Sequence, residues 1–170
     1  MVSGVASGHH KAVAPVVDMA PDFDLPVLIG GRKKRFHLRD HLEHGHIILA
    51  FYPANWEPVS TRQMTQYQAE RAEFAAYKAE VVGICVDSIM NTTAWERDIG
   101  PFDYPLCSDF WPHGAVSRAY GAFRERAPFA GASERAIFVV QQNGKVAFRK
   151  VYGVTELPPI SEILEALRKL

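Results

Sequence analysis

The chain has 170 residues, 48% of them hydrophobic and 22% charged, which predicts one soluble globular domain with a core of ordinary size. Nineteen basic residues balance nineteen acidic ones, so net charge points to neither nucleic acid nor an anionic membrane as partner. Two cysteines are too few for a secreted disulfide framework, which leaves the reducing cytoplasm as the expected compartment.

Residues 1–14 are small and polar and read as a flexible tail rather than a signal peptide; the folded domain is expected over 15–170. No apolar run reaches the ~18 residues of a membrane span. "MAPDFDLPVL" (19–28) has proline on both sides and reads as an edge strand. "GGRKKRF" is a turn into a short strand over 35–38, and "RDHLEHG" is one helical turn with Asp40 as cap and Gly45 as terminator.

"HIILAFY" (46–52) is continuously apolar and of strand length, the pattern of a central strand covered on both faces. A helix is expected over about 58–78, because Met64, Tyr67, Phe74 and Tyr77 recur on one face. "EVVGICVDS" (80–88) is a second buried strand, "NTTAWERDIG" (91–100) a capped helix, and "DYPLCSD" a third strand. A short helix ends near Gly121. "RAIFVV" and "KVAFRKVY" form a hairpin through "QQNGK", and "PPISEILEALRKL" is a terminal amphipathic helix. Alternation first and a hairpin last predict a mixed α/β sheet with helices on both faces, the order of a thioredoxin-like fold.

Loops that leave a buried strand and open a helix commonly carry a nucleophile, which singles out "FYPANWEPVSTRQM" (51–64). Together with "APDFDLP", "VVGICVDS", "YPLCSDF", "AVSRAYGAF" and "SERAIFVVQQNGKVAF", this stretch resembles, in order, the landmarks of the peroxiredoxins, the alkyl hydroperoxide reductase and thiol-specific antioxidant family. The resemblance covers about residues 15–170 and implies a peroxiredoxin-type thioredoxin-like fold.

That family reduces hydroperoxides with a cysteine thiolate at the first turn of the helix after a core strand. Its site combines a proline, a threonine or serine, the cysteine and an arginine from a later strand. By the resemblance, the proline is Pro53, the threonine position is Glu57, the cysteine position is Ser60 and the arginine is Arg135. A helix N-terminus and an arginine both favour an anion and lower a thiol's pKa. They do not ionise a serine hydroxyl at neutral pH, and a hydroxyl cannot enter the sulfenic acid cycle. The motif holds no obvious general base. Glu57 would raise the pKa of a neighbouring thiol, and a Glu57–Arg135 ion pair filling the peroxide pocket is expected.

Ser60 is thus expected to serve as a cap or first-turn hydroxyl. The chain as written is expected to be inactive or strongly impaired as a thiol peroxidase, keeping the scaffold for binding or assembly. The alternative is an active enzyme, taking a hydroperoxide and a thiol reductant, in which Ser60 is an engineered replacement of cysteine; the loss of threonine at Glu57 favours natural divergence.

Cys85 and Cys107 read as small core hydrophobes, and by the resemblance the position where one subgroup of the family keeps a resolving cysteine is Thr65. His37, His41, His44 and His46 match no zinc spacing and read as a solvated turn. Neither cofactor nor metal is implied. Trp95, Phe110 and Trp111 lie next to turns and are candidates for an interface; the resemblance implies a homodimer paired through loops around the site. The basic loop Arg124–Gly131 is expected to border the pocket.

Overall fold

The computed structural model describes residues 18–170; the expected tail lies outside the described residues. A seven-stranded sheet has the order β2-β1-β5-β4-β3-β6-β7. Its strands are β1 (Asp24–Ile29), β2 (Arg32–His37), β3 (His46–Phe51), β4 (Ala79–Cys85), β5 (Leu106–Ser108), β6 (Arg135–Val140) and β7 (Val146–Tyr152). The three inner strands β3, β4 and β5 run parallel, and the flanking pairs are antiparallel. The helices are α1 (Leu38–Leu42), α2 (Pro58–Ala69), α3 (Arg71–Ala76), α4 (Ile89–Ile99), α5 (Ala115–Ala119) and α6 (Ile160–Arg168). This is the mixed sheet with helices on both faces, of thioredoxin-like type, that the element order predicts.

The central strand shows how the sequence makes two cores. Successive side chains on a strand point to opposite faces. Ile48 and Ala50 therefore join Tyr52 in a cluster with Met64, Tyr67, Phe74, Trp95, Ile163 and Leu167. Ile47, Leu49 and Phe51 face the other way, into a cluster with Phe36, Leu38, Val116, Tyr120 and Phe138. An unbroken apolar run is needed because both faces are covered.

Several boundaries differ from the sequence reading. β1 is not an edge: it lies between β2 and β5. Pro26 is tolerated because β5 pairs only with Val27 and Leu28, so the ladder stops where the proline lacks an N–H. The true edge, β2, starts at Arg32 and is lined with lysine and arginine, which discourages further strand pairing. The helix expected over 58–78 is two helices that bend at Glu70, whose φ and ψ of −94° and 5° leave the helical region.

Asp40 is not the cap of α1; His37 holds that position without a side-chain bond. Gly45 lies three residues after the helix end, and its role is close approach: a Cβ there would clash with the Lys78 carbonyl oxygen. α4 begins two residues earlier than expected, capped by Ser88, whose Oγ accepts from Asn91 N–H. Consequently Trp95 is not exposed. It is fully buried and tilted against Tyr52, with ring centroids 5.6 Å apart.

Candidate active site

β3 and β6 are antiparallel neighbours, with Phe51 opposite Ala136. The loop leaving β3 therefore passes beside Arg135, the first residue of β6. This register alone brings "PANWEPVS" to the arginine. The loop is clamped from the other side by α4 and the end of β4. The Asn55 N–H donates to Asp87 (2.7 Å), and its amide donates to Thr92 Oγ1 (2.9 Å) and Asn91 Oδ1 (3.1 Å). Tyr52 donates its hydroxyl proton to Asn55 Oδ1 (2.8 Å), and Trp56 Nε1–H reaches Asn91 Oδ1 (3.0 Å). Pro53 is buried at the base of this loop.

The structure brings Glu57, Ser60 and Arg135 together. Glu57 is the N-cap of α2, and Pro58 occupies the first helical position, where a missing N–H costs nothing. The carboxylate turns back onto the helix. Oε1 accepts from Val59 N–H (2.8 Å), and Oε2 accepts from Ser60 N–H (2.7 Å), the Ser60 hydroxyl (2.7 Å) and Arg135 Nη2 (2.8 Å). The expected Glu57–Arg135 ion pair is present, and it takes the first-turn amides with it. Ser60 is not the cap but the third helical residue, with its hydroxyl bridging the pair.

Arg135 is fully buried. Its remaining donors go to Ser60 Oγ (3.2 Å), Gln63 Oε1 (2.8 Å) and the Val154 carbonyl (3.1 Å from Nε). Gln63 in turn donates from Nε2 to the Tyr67 hydroxyl (2.8 Å). Sequence reasoning missed Gln63, Tyr67 and the Val154 carbonyl. The first two were findable: 60, 63 and 67 follow one another at helical spacing on the face that meets β6.

The sequence reading found no general base, yet Glu57 lies 2.7 Å from the Ser60 oxygen. Burial pushes the Glu57 carboxyl up, but the Ser60 hydroxyl, Val59 N–H, Arg135 and Ser60 N–H outweigh it and hold the pKa below the usual carboxylate range. A carboxylate drained by four donors is a weak base. It holds the serine proton without being able to take it.

The two thiols lie elsewhere, both fully buried. Burial, reinforced by the charge of Asp87, pushes Cys85 up to about 12. Burial likewise raises Cys107 well above the ordinary thiol value. Thr65 is exposed on the far side of α2 from Ser60.

The histidines each have separate contacts. His37 Nε2 meets Asp22 at 2.7 Å, His41 stacks on Phe36 with centroids 4.0 Å apart, and His46 Nδ1 accepts from Gln142 N–H. No group of three metal-ligating side chains that could hold a metal ion occurs among the described residues. In the loop 124–131, Arg124 turns inward to Glu134 (3.0 Å) and the Ala127 carbonyl.

With this geometry in place, comparison with known proteins is decisive for ancestry. The AhpC/TSA family pattern matches residues 16–149. The chain belongs to the AhpC/TSA family. It is 33% identical over 132 residues to alkyl hydroperoxide reductase E of Mycobacterium tuberculosis, covering 78% of this chain and 82% of that protein. It is 30% identical over 155 residues to bovine (Bos taurus) peroxiredoxin-2, covering 88% and 73%.

Among solved structures, peroxidoxin BcpB of Mycobacterium tuberculosis superposes with a TM-score of 0.76 at 27% identity, covering 90% of this chain and 96% of that one. Plasmodium vivax 2-Cys peroxiredoxin in its reduced form gives 0.80 at 22% identity, over 88% and 78%, which supports the fold. Hydroperoxide reduction is the activity of this family. No helix among the described residues is long and apolar enough to cross a membrane.

Proposed function

We propose that this AhpC/TSA chain keeps the peroxiredoxin scaffold, does not reduce hydroperoxides at an appreciable rate, and serves in binding or assembly. The observation that carries this reading is the Glu57 carboxylate. It occupies the helix N-terminus and Arg135 together, the two features that would stabilise a thiolate and polarise a peroxide. Ser60 offers at that position a hydroxyl with no base able to ionise it. Pro53, Glu57, Ser60 and Arg135 thus correspond to the family's four active-site positions with two chemical roles removed.

The test is peroxide consumption with a dithiol reductant for four proteins: the natural chain, Ser60→Cys, Glu57→Thr and the double variant. The natural chain and Glu57→Thr are expected to be inert. Ser60→Cys should be slow, because a carboxylate beside the new thiol raises its pKa and engages the arginine. The double variant should exceed Ser60→Cys by ~10²-fold, the effect of about two pKa units on the thiolate population. Turnover by the natural chain comparable with the double variant would overturn the reading. A Ser60→Cys variant as fast as the double variant would show that Glu57 does not obstruct the pocket.

For assembly, we propose a homodimer formed at the end of the sheet where β3, β4 and β5 finish. Trp56, Met90, Phe110 and Trp111 follow those parallel strands and are 51%, 66%, 53% and 78% exposed. An apolar fringe of this kind around a candidate site supports an interface. Sedimentation should show a dimer that Trp111→Asp converts to monomer at micromolar concentration; a natural chain that sediments as a monomer removes this proposal.

A further inference from the structure

The buried guanidinium of Arg135 has several acceptors, and all but one are neutral. Ser60 contributes a hydroxyl, Val154 a carbonyl, and Gln63 an amide oxygen whose orientation is fixed by its own donation to Tyr67. Tyr67 is held neutral because burial raises its phenol. Among the described residues, Glu57 alone brings a negative charge into contact with a side chain that has no exposure to water. An unpaired charge in that position is strongly unfavourable, so the site requires an anion.

The donors are arranged for a particular one. Val59 N–H points at one oxygen, while Ser60 N–H, the Ser60 hydroxyl and Arg135 Nη2 converge on the other. Two oxygens fixed by a shared carbon satisfy this set. The helix N-terminus adds its partial positive charge. The Glu57 side chain is 12% exposed, so shortening it opens the seat from the solvent side and leaves the Arg135 Nη2 donor facing it.

We propose that this cradle is a carboxylate-binding site whose resident ligand is Glu57, and that a small free carboxylate takes the seat when the tethered one is removed. In the intact chain the tether excludes such ligands by its high local concentration. The inference rests on the reading that Glu57 fills the pocket. Its readout is binding rather than turnover, so it can fail while the loss of peroxidase activity stands.

The experiment is thermal unfolding of the full-length Glu57→Ala protein in sodium formate and in sodium chloride at equal ionic strength. Formate should raise its Tm saturably, by about 4 °C at roughly tenfold above its Kd, with chloride far weaker. The natural chain should respond equally to the two salts, because its seat is taken. Glu57→Ala combined with Arg135→Gln should lose the formate effect. Should Glu57→Ala alone be unfolded in chloride, refolding from urea in formate reads the same exchange: recovery in formate alone supports the site. Equal behaviour of Glu57→Ala in the two salts, or a formate effect of the same size in the natural chain, overturns it.

Discussion

Ser60 and Cys85 are near neighbours in the fold and opposite in environment. Ser60 opens the helix after β3; Cys85 ends β4, the parallel partner of β3. Beside Ser60 the first-turn amides and a buried arginine converge on the Glu57 carboxylate, an environment that keeps an acid ionised. At Cys85 the charge that acts on the thiol is that of Asp87, which opposes ionisation, and burial is complete. The thiol lies where burial disfavours its ionisation, and the environment that promotes ionisation is occupied by a carboxylate next to a hydroxyl. Reactivity is therefore a property of the seat and the side chain jointly, and this chain has separated the two.

The sharpest way to break that comparison is thiol labelling. With a pKa near 12 against an ordinary ~8.5, the Cys85 thiolate is about 10³-fold scarcer at pH 8, before access is counted. The native protein should therefore react with a disulfide reagent at least ~10³-fold more slowly than the unfolded chain, for both cysteines. The Ser60→Cys/Glu57→Thr protein should add one rapidly reacting equivalent. Fast labelling of Cys85 or Cys107 in the native chain would place the reactive thiol elsewhere and return redox chemistry to this protein.

Next in size are the two halves of the ion pair. Glu57→Ala removes the cap of α2, worth about 1 kcal/mol, and leaves a guanidinium with no exposure and no counter-charge, worth about 3 kcal/mol more. Arg135→Leu leaves a carboxylate that keeps the Val59 and Ser60 donors and some contact with water, so about 2 kcal/mol is expected. Urea unfolding of both variants checks the order. A smaller loss in Glu57→Ala than in Arg135→Leu would mean that Arg135 finds another anion or reaches solvent.

How much of this was legible in the sequence depends on range. β3 and the 135–152 hairpin were readable because an unbroken apolar run and an Asn-Gly turn are local signals. The meeting of residues 57, 60 and 135 was readable through resemblance, and the Glu57–Arg135 contact from the opposite charges at those positions. Pro26 was misread because its tolerance depends on where a distant three-residue strand stops pairing. Trp95 was misread because its helix looks polar until the cap at Ser88 sets which face meets Tyr52. The return of the Glu57 carboxylate onto its own helix, and the Gln63–Tyr67 extension, need three-dimensional reach that spacing only suggests.

The smallest effect is the acid limb of stability, and its sign follows from the same contacts. The hydroxyl, amide and guanidinium donors outweigh burial and depress the folded-state pKa of Glu57 below its unfolded value of ~4.3. Its contribution is therefore complete above pH ~4.3 and is lost as pH falls through the lower, folded-state value. Glu162, depressed chiefly by its hydrogen bond from Lys150, loses its contribution over a similar range, so the natural chain alone cannot separate them. The stability difference between the natural chain and Glu57→Gln isolates the first. That difference should be constant from pH 5 to 7 and shrink below pH ~4. A difference that stays level into strong acid would mean that the Glu57 carboxyl titrates alike in the folded and unfolded protein, and one that grows toward acid would mean that it holds its proton in the fold, leaving the seat at the head of α2 neutral rather than filled by an anion.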